Sequence, residues 1–187
     1  MTVTEVIYNH KLYPAKEAIN LVQGGSSSEK KESAGLALLL TGNTLCNDAL
    51  INRNPEKQEG FDVIGDPTEG ALVLAAEQAG LNKNHLEQIL PRKAEYPFSS
   101  ERKRMTTVHK ITQETQNSSL GRSLRQALDL TTPAEAGPGT ADYLTFTKGA
   151  VDGLMEVSTH VLINNRITKI DSESKEQILA WNRRLAG

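Results

Sequence analysis

Gly65-Asp66-Pro67-Thr68-Glu69-Gly70-Ala71-Leu72 reads as the start of a helix. Asp66 can accept the first free backbone N–H groups as N-cap, Pro67 suits the first helical position, and Glu69 places an acid in the first turn. Phe61 to Ile64 before it has the composition of a short strand. The helix is expected to run over 67–80, with Ala and Gly opposite Leu72 so that it can lie close to a neighbouring sheet or helix.

Outward from this segment, short strands and helices alternate. Met1 to Ile7 reads as a strand, Asn9-His10-Lys11 as a turn, and Gly24 to Ser28 as a linker. A buried helix is expected over 29–41, ending near Gly42, and another over 172–186, where Ile178, Trp181 and Leu185 share a face. Arg104 to Ile111 and Tyr143 to Lys148 have strand composition and are expected to pair. Between them lies a polar stretch, 112–140, expected to be a mobile insertion with a short helix at Leu120 to Leu128. The mixture predicts an α+β fold: a mainly antiparallel, twisted β-sheet flanked by helices, in one domain over 1–187.

Composition narrows the function. Hydrophobic residues make up 37% of the 187, charged residues 24%, and the net charge is −2. These values suit a soluble globular domain. The only dense basic cluster is Arg102-Lys103-Arg104, which argues against nucleic acid as a partner. The longest apolar run, Ala34 to Leu40, is far short of the roughly 20 residues that cross a bilayer, and no signal-peptide core precedes it. Cys46 is the single cysteine, so neither an internal disulfide nor a common zinc site is expected. The chain therefore reads as cytosolic, and as a monomer in isolation. No GxxxxGK[ST] loop, GxGxxG turn, nucleophile elbow or HExxH is present.

Four segments in order carry a more specific signal: Cys46-Asn47-Asp48, Gly65 to Leu72, Tyr96-Pro97-Phe98-Ser99-Ser100-Glu101-Arg102-Lys103-Arg104-Met105, and Thr147-Lys148-Gly149-Ala150. Together they resemble the nucleotide-binding domain of type II P-type cation-transporting ATPases, most like the calcium-pump subgroup. Met1-Thr2-Val3 is similar to the segment shortly after the phosphorylated aspartate of that family, and Glu173 to Gly187 to the helix near its domain's end, so the resemblance spans nearly the whole chain. It implies a domain that binds ATP and presents it to a separate phosphorylation domain. The DKTGT motif of the aspartyl nucleophile is absent and would lie about ten residues upstream of Met1 in an intact pump. The family's strand and arginine-bearing hinge segment would follow the last helix. The isolated chain is thus expected to hold ATP without hydrolysing it, with Mg²⁺ needed by the parent enzyme and not for binding here. Actuator domain and membrane helices would be further partners of the parent.

By residue type alone Phe98 reads as a core phenylalanine and Lys148 as a lysine at the rim of an apolar strand face. The resemblance instead implies that Phe98 stacks on adenine, that Lys148 lies in the adenine pocket with Gly149 letting the backbone turn beside it, and that Glu69 stands near the adenine amino group. Lys103 and Met105, two apart on an expected strand, should face the nucleotide together, with Arg104 turned away. Ser100 departs from family members that carry a longer basic residue there, which implies one fewer cationic contact to phosphate. Cys46 is assigned no chemistry. A stand-alone adenine-nucleotide sensor and a protein-interaction domain using 112–140 are the alternative readings.

Overall fold

The computed structural model describes residues 1–24, 30–56, 60–118, 120–122, 143–164 and 166–186. Strand β1 (Glu5–Tyr8) turns through Asn9 and His10 into β2 (Lys11–Pro14). Both turn residues are left-handed, with φ of 52° and 58°, as a two-residue hairpin requires. Tyr8 and Tyr13 point inward and pack with Ala18 of α1 (Ala15–Gly24) and Leu36 of α2 (Lys30–Leu45).

Helix α2 is the axis of the structure. Leu36 serves the hairpin cluster, Leu40 a second cluster with Ala75, Ala76 and Ala79, and Leu45 a third with Leu86, Ile89, Leu90 and Leu120. Apolar residues are needed on every side of such a helix. It does not end near Gly42 as the sequence suggested. Gly42 lies inside it, where a missing Cβ admits the Phe146 ring, and a Cβ built there would stand 2.9 Å from the ring.

The helix start at Asp66 is present. Asp66 Oδ1 accepts from the N–H of Thr68 at 2.8 Å and of Glu69 at 3.1 Å, and these bonds hold its carboxyl below the usual range. Helix α3 (Pro67–Gln78) buries Ala71 and Val73 through Ala76, with Ala75 and Ala76 packed on Leu40 of α2, and follows the hairpin of β3 (Leu50–Arg53) and β4 (Phe61–Ile64). Helix α4 (Lys83–Ile89), capped by Asn82, leads into a three-stranded antiparallel sheet of β5 (Arg92–Ser99), β6 (Arg104–Lys110) and β7 (Tyr143–Gly149). The pairing expected across the insertion holds, in unbroken register from Arg104 opposite Gly149 to Lys110 opposite Tyr143. The chain continues through α6 (Val151–Val157), the hairpin β8 (His160–Ile163) and β9 (Arg166–Lys169), and α7 (Ser172–Ala186). The fold is α+β, and every strand pair among the described residues is antiparallel.

The insertion needs correction at its start. Thr112 caps a short helix, α5 (Gln113–Asn117), Thr115 is buried, and Leu120 joins the third core cluster. Residues 112–118 and 120–122 are thus part of the packed structure. Most of the helix expected at Leu120 to Leu128, and the rest of the insertion, lie outside the described residues.

Strand β6 turns Met105, Thr107 and His109 into the interior. His109 Nδ1 lies 2.8 Å from the Leu90 carbonyl and Nε2 2.9 Å from Thr107 Oγ1. A carbonyl only accepts, so Nδ1 carries the proton and Nε2 accepts from the threonine. Burial holds this imidazole below its ordinary pKa. The unfolded chain therefore takes up a proton near pH 6.5 that the folded chain refuses, and stability should fall as pH drops through 6.5. In urea titrations between pH 8 and 5, His109→Gln should lack this contribution, whose slope for a single proton is at most about 1.4 kcal/mol per pH unit. Parallel pH profiles for the two proteins would show that His109 does not carry it.

Candidate functional site

Glu69 is the node of the candidate site because the Asp66 cap fixes the first turn that carries it. Its Oε1 accepts from Lys148 Nζ at 2.7 Å, and its Oε2 from the backbone N–H of Asp48 at 3.1 Å. Its own carbonyl accepts from Asn47 Nδ2 at 2.9 Å. Lys148 and Glu69 are about one-fifth exposed, so the pair is screened from solvent but reachable. Such a pair is held by more than Coulomb attraction, since each partner is also anchored by its own secondary structure.

Lys148 stands directly opposite Met105 in the β6–β7 register. On the other side of β6, Tyr96 pairs with Thr106 and Ser99 with Arg104, so Pro97 and Phe98 together oppose Met105. This bulge breaks the alternation of β5, and Phe98 is 63% exposed. With most of its ring outside the interior, Phe98 is not a core residue. Phe98, Met105 and Lys148 thus form one row across the three strands, with Glu69 reaching Lys148 from α3.

The expected sharing of a face by Lys103 and Met105 is corrected. Lys103 precedes β6, in a turn with φ of 51°, where its N–H donates to the Ser99 carbonyl at 2.7 Å. Its ammonium is exposed, 3.8 Å from Asp152. Met105, the middle member of the row, is only 2% exposed. Two-residue alternation does not apply to Lys103, which lies in the turn before the strand starts at Arg104. Gly149 has no left-handed φ, so its role is space and not a sharp turn. A Cβ on it would come 2.3 Å from the Lys103 carbonyl oxygen. Ser100 is exposed in the same turn. Arg104 is turned to the opposite face from Met105, as expected, with Nη1 directed to the carbonyls of Arg102 and Gly153.

Several residues of this arrangement had no site role assigned from the sequence. Asn47 and Asp48 hold Glu69, and the turn that carries them is gripped by two cations. Buried Lys83 donates to the carbonyls of Asn47 and Ala49 at 2.7 and 2.8 Å, and burial lowers its pKa. Arg92 donates to the Leu45 and Asn47 carbonyls and to the Asp48 carboxylate. The signal available was the Cys46-Asn47-Asp48 segment, whose polar residues could have been read as ties to the next helix. Cys46 itself is buried, with Sγ 3.5 Å from the Met105 carbonyl. Among the described residues, no group of His, Cys, Asp and Glu could hold a metal ion, and no helix is long and apolar enough to cross a membrane.

The family described as P-type ATPase, cytoplasmic domain N, matches residues 35–121. That range takes in Asn47, Asp48, Glu69, Arg92, Phe98 and Met105. A relative from Bacillus subtilis, named calcium-transporting ATPase, is 30% identical over 192 residues, covering all of this chain and 18% of the relative. The chain belongs to the P-type ATPase family, as an N domain. Calcium-transporting ATPase 1 of Bacillus cereus is 34% identical over 142 residues, 76% of this N domain and 12% of the relative. Probable cation-transporting ATPase F of Mycobacterium tuberculosis is 40% identical over 78 residues, 42% of this N domain and 8% of the relative. The N domain thus spans less than one-fifth of the length of these relatives. The alignment to the Bacillus subtilis protein extends past residue 121 and so takes in Lys148 and Gly149.

Proposed function

We propose that this N domain binds ATP at the row Phe98–Met105–Lys148 and presents its γ-phosphate to an aspartate on a separate phosphorylation domain. The observation that carries the reading is the exposed Phe98 ring in the same cross-strand row as a lysine–glutamate pair. An aromatic face stacks on a base for roughly 1–3 kcal/mol. A carboxylate accepts from the adenine amino group but repels the guanine carbonyl oxygen at the same position. Lys148 places positive charge at the pocket, Lys103 offers an exposed ammonium for phosphate, and Ser100 and Gly149 leave its approach uncrowded. Met105, the buried middle member of the row, backs the two outer residues.

In the parent protein the aspartyl oxygen would bond to the γ-phosphorus as the bond to the β–γ bridging oxygen breaks, releasing ADP. The proposed parent is a cation pump in a membrane, with this N domain on its cytoplasmic side and with actuator domain and membrane helices as partners. The names of the relatives point to Ca²⁺ as the ion. No carboxylate cluster that could hold a metal occurs among the described residues, so Mg²⁺ should enter with the phosphorylation domain. Calorimetric titration with ATP should show binding that survives EDTA almost unchanged. Absence of binding, or a strict Mg²⁺ requirement, would overturn the site as drawn.

A further inference from the structure

Arg92 opens β5 and touches none of the residues proposed to meet nucleotide, yet its guanidinium makes four hydrogen bonds. Nη2 donates to the carbonyls of Leu45 at 3.0 Å and Asn47 at 2.7 Å, and Nη1 to Asp48 Oδ1 at 2.7 Å and Glu95 Oε2 at 2.8 Å. Leu45 is the last residue of α2, so one of these bonds satisfies a carbonyl at the helix end. The bonds to Asn47 and Asp48 tie the turn to β5, and the bond to Glu95 lies within β5 itself. Lys83 already holds the Asn47 and Ala49 carbonyls from α4, so retention of the turn does not depend on Arg92 alone. What Arg92 adds is the link through the Asp48 side chain, on the residue whose N–H reaches Glu69.

We propose that Arg92 is a positioning residue that sets base preference: it aims the Asp48 N–H at Glu69 and so fixes the direction of the carboxylate. The proposal rests on the nucleotide reading above. With Lys148 on Oε1 and Asp48 N–H on Oε2, each oxygen keeps lone pairs in set directions. A carboxylate so held rewards an amino group and penalises a carbonyl at one place. Released from Asp48, it can swing toward Lys148 and do less of both. Arg92 therefore acts on the difference between adenine and guanine more than on affinity as such.

The test is titration of the whole chain with ATP and with GTP, for the wild type, Arg92→Lys, Glu69→Gln and the double variant. Lysine keeps the charge but cannot span four acceptors in two directions. Arg92→Lys should lower the preference for ATP by roughly two- to tenfold, chiefly through weaker ATP binding. In the Glu69→Gln background it should change the preference no further, which a merely structural role would not produce. Should Arg92→Lys fail to fold, Asp48→Ala serves instead. It removes the side-chain acceptor, keeps the backbone N–H, and should shift the preference the same way. A preference lost in Glu69→Gln but kept in a folded Arg92→Lys or Asp48→Ala overturns the positioning role alone. No preference in the wild type, or none lost in Glu69→Gln, overturns the reading of Glu69 and the positioning role with it.

Discussion

Replacing Gly149 with alanine should lower the free energy of unfolding by about 3 kcal/mol. The new Cβ would lie 2.3 Å from the Lys103 carbonyl oxygen, 2.6 Å from Arg104 Cβ and 2.7 Å from Arg104 Cα. None of these atoms can rotate away, because each belongs to the backbone or is bonded directly to it. Relief requires β6 and β7 to part at the Arg104–Gly149 pair, which also opens the 3.0 Å bond from the Ala150 N–H to the Lys103 carbonyl. Lys148 is the next residue, so its reach to Glu69 should loosen too, and ATP affinity should fall with stability. Urea denaturation with an unchanged m-value would report the first effect, and titration of the folded variant the second. An alanine variant as stable as the wild type would show that the close approach at Gly149 is not required.

Phe98→Ala should weaken binding of both ATP and AMP by about one to two orders of magnitude, because both carry adenine. Stability should change little, since the ring is mostly exposed, whereas removing a buried phenylalanine costs roughly 3–5 kcal/mol. The pair of measurements thus separates a stacking ring from a core ring. Lys148→Ala should also weaken binding, with a part that shrinks at high ionic strength, and leaves Glu69 with the Asp48 N–H alone. Arg104→Ala is the control, because its side chain lies on the other face of β6 and is directed to the Arg102 and Gly153 carbonyls. Wild-type affinity in a folded Phe98→Ala, or loss of binding in Arg104→Ala, would place the site elsewhere.

Much of this was legible in the chain as a string of residues. Asp66-Pro67-Thr68-Glu69 specifies a helix start by local hydrogen bonding alone, and the structure shows the bonds. The partnership of β6 and β7 followed from composition on either side of a polar stretch, and the α+β class from the succession of short elements. The extent of α2 was not legible, because Gly42 marks a helix end by propensity while its real use is to admit Phe146 from a strand a hundred residues away. Lys103 and Met105 were placed on one face by alternation, a local rule that held only within β6 itself.

What the sequence determined by itself is what neighbours along the chain can settle: caps, turns, periodic faces, and the ordered motifs that mark an N domain. The site was decided by contacts across 21 to 79 residues of chain, from Asp48 to Glu69 and from Glu69 to Lys148. Those distances have no signature in local propensity, because a hydrogen bond between distant residues depends on how α2, α3 and β7 come to lie together. The bulge that sets Phe98 opposite Met105 belongs to the same class, since it exists only in the register of β5 against β6. Arg92 shows the limit most plainly: as a sequence residue it is one of many surface-type cations, and only the fold gathers four acceptors around it.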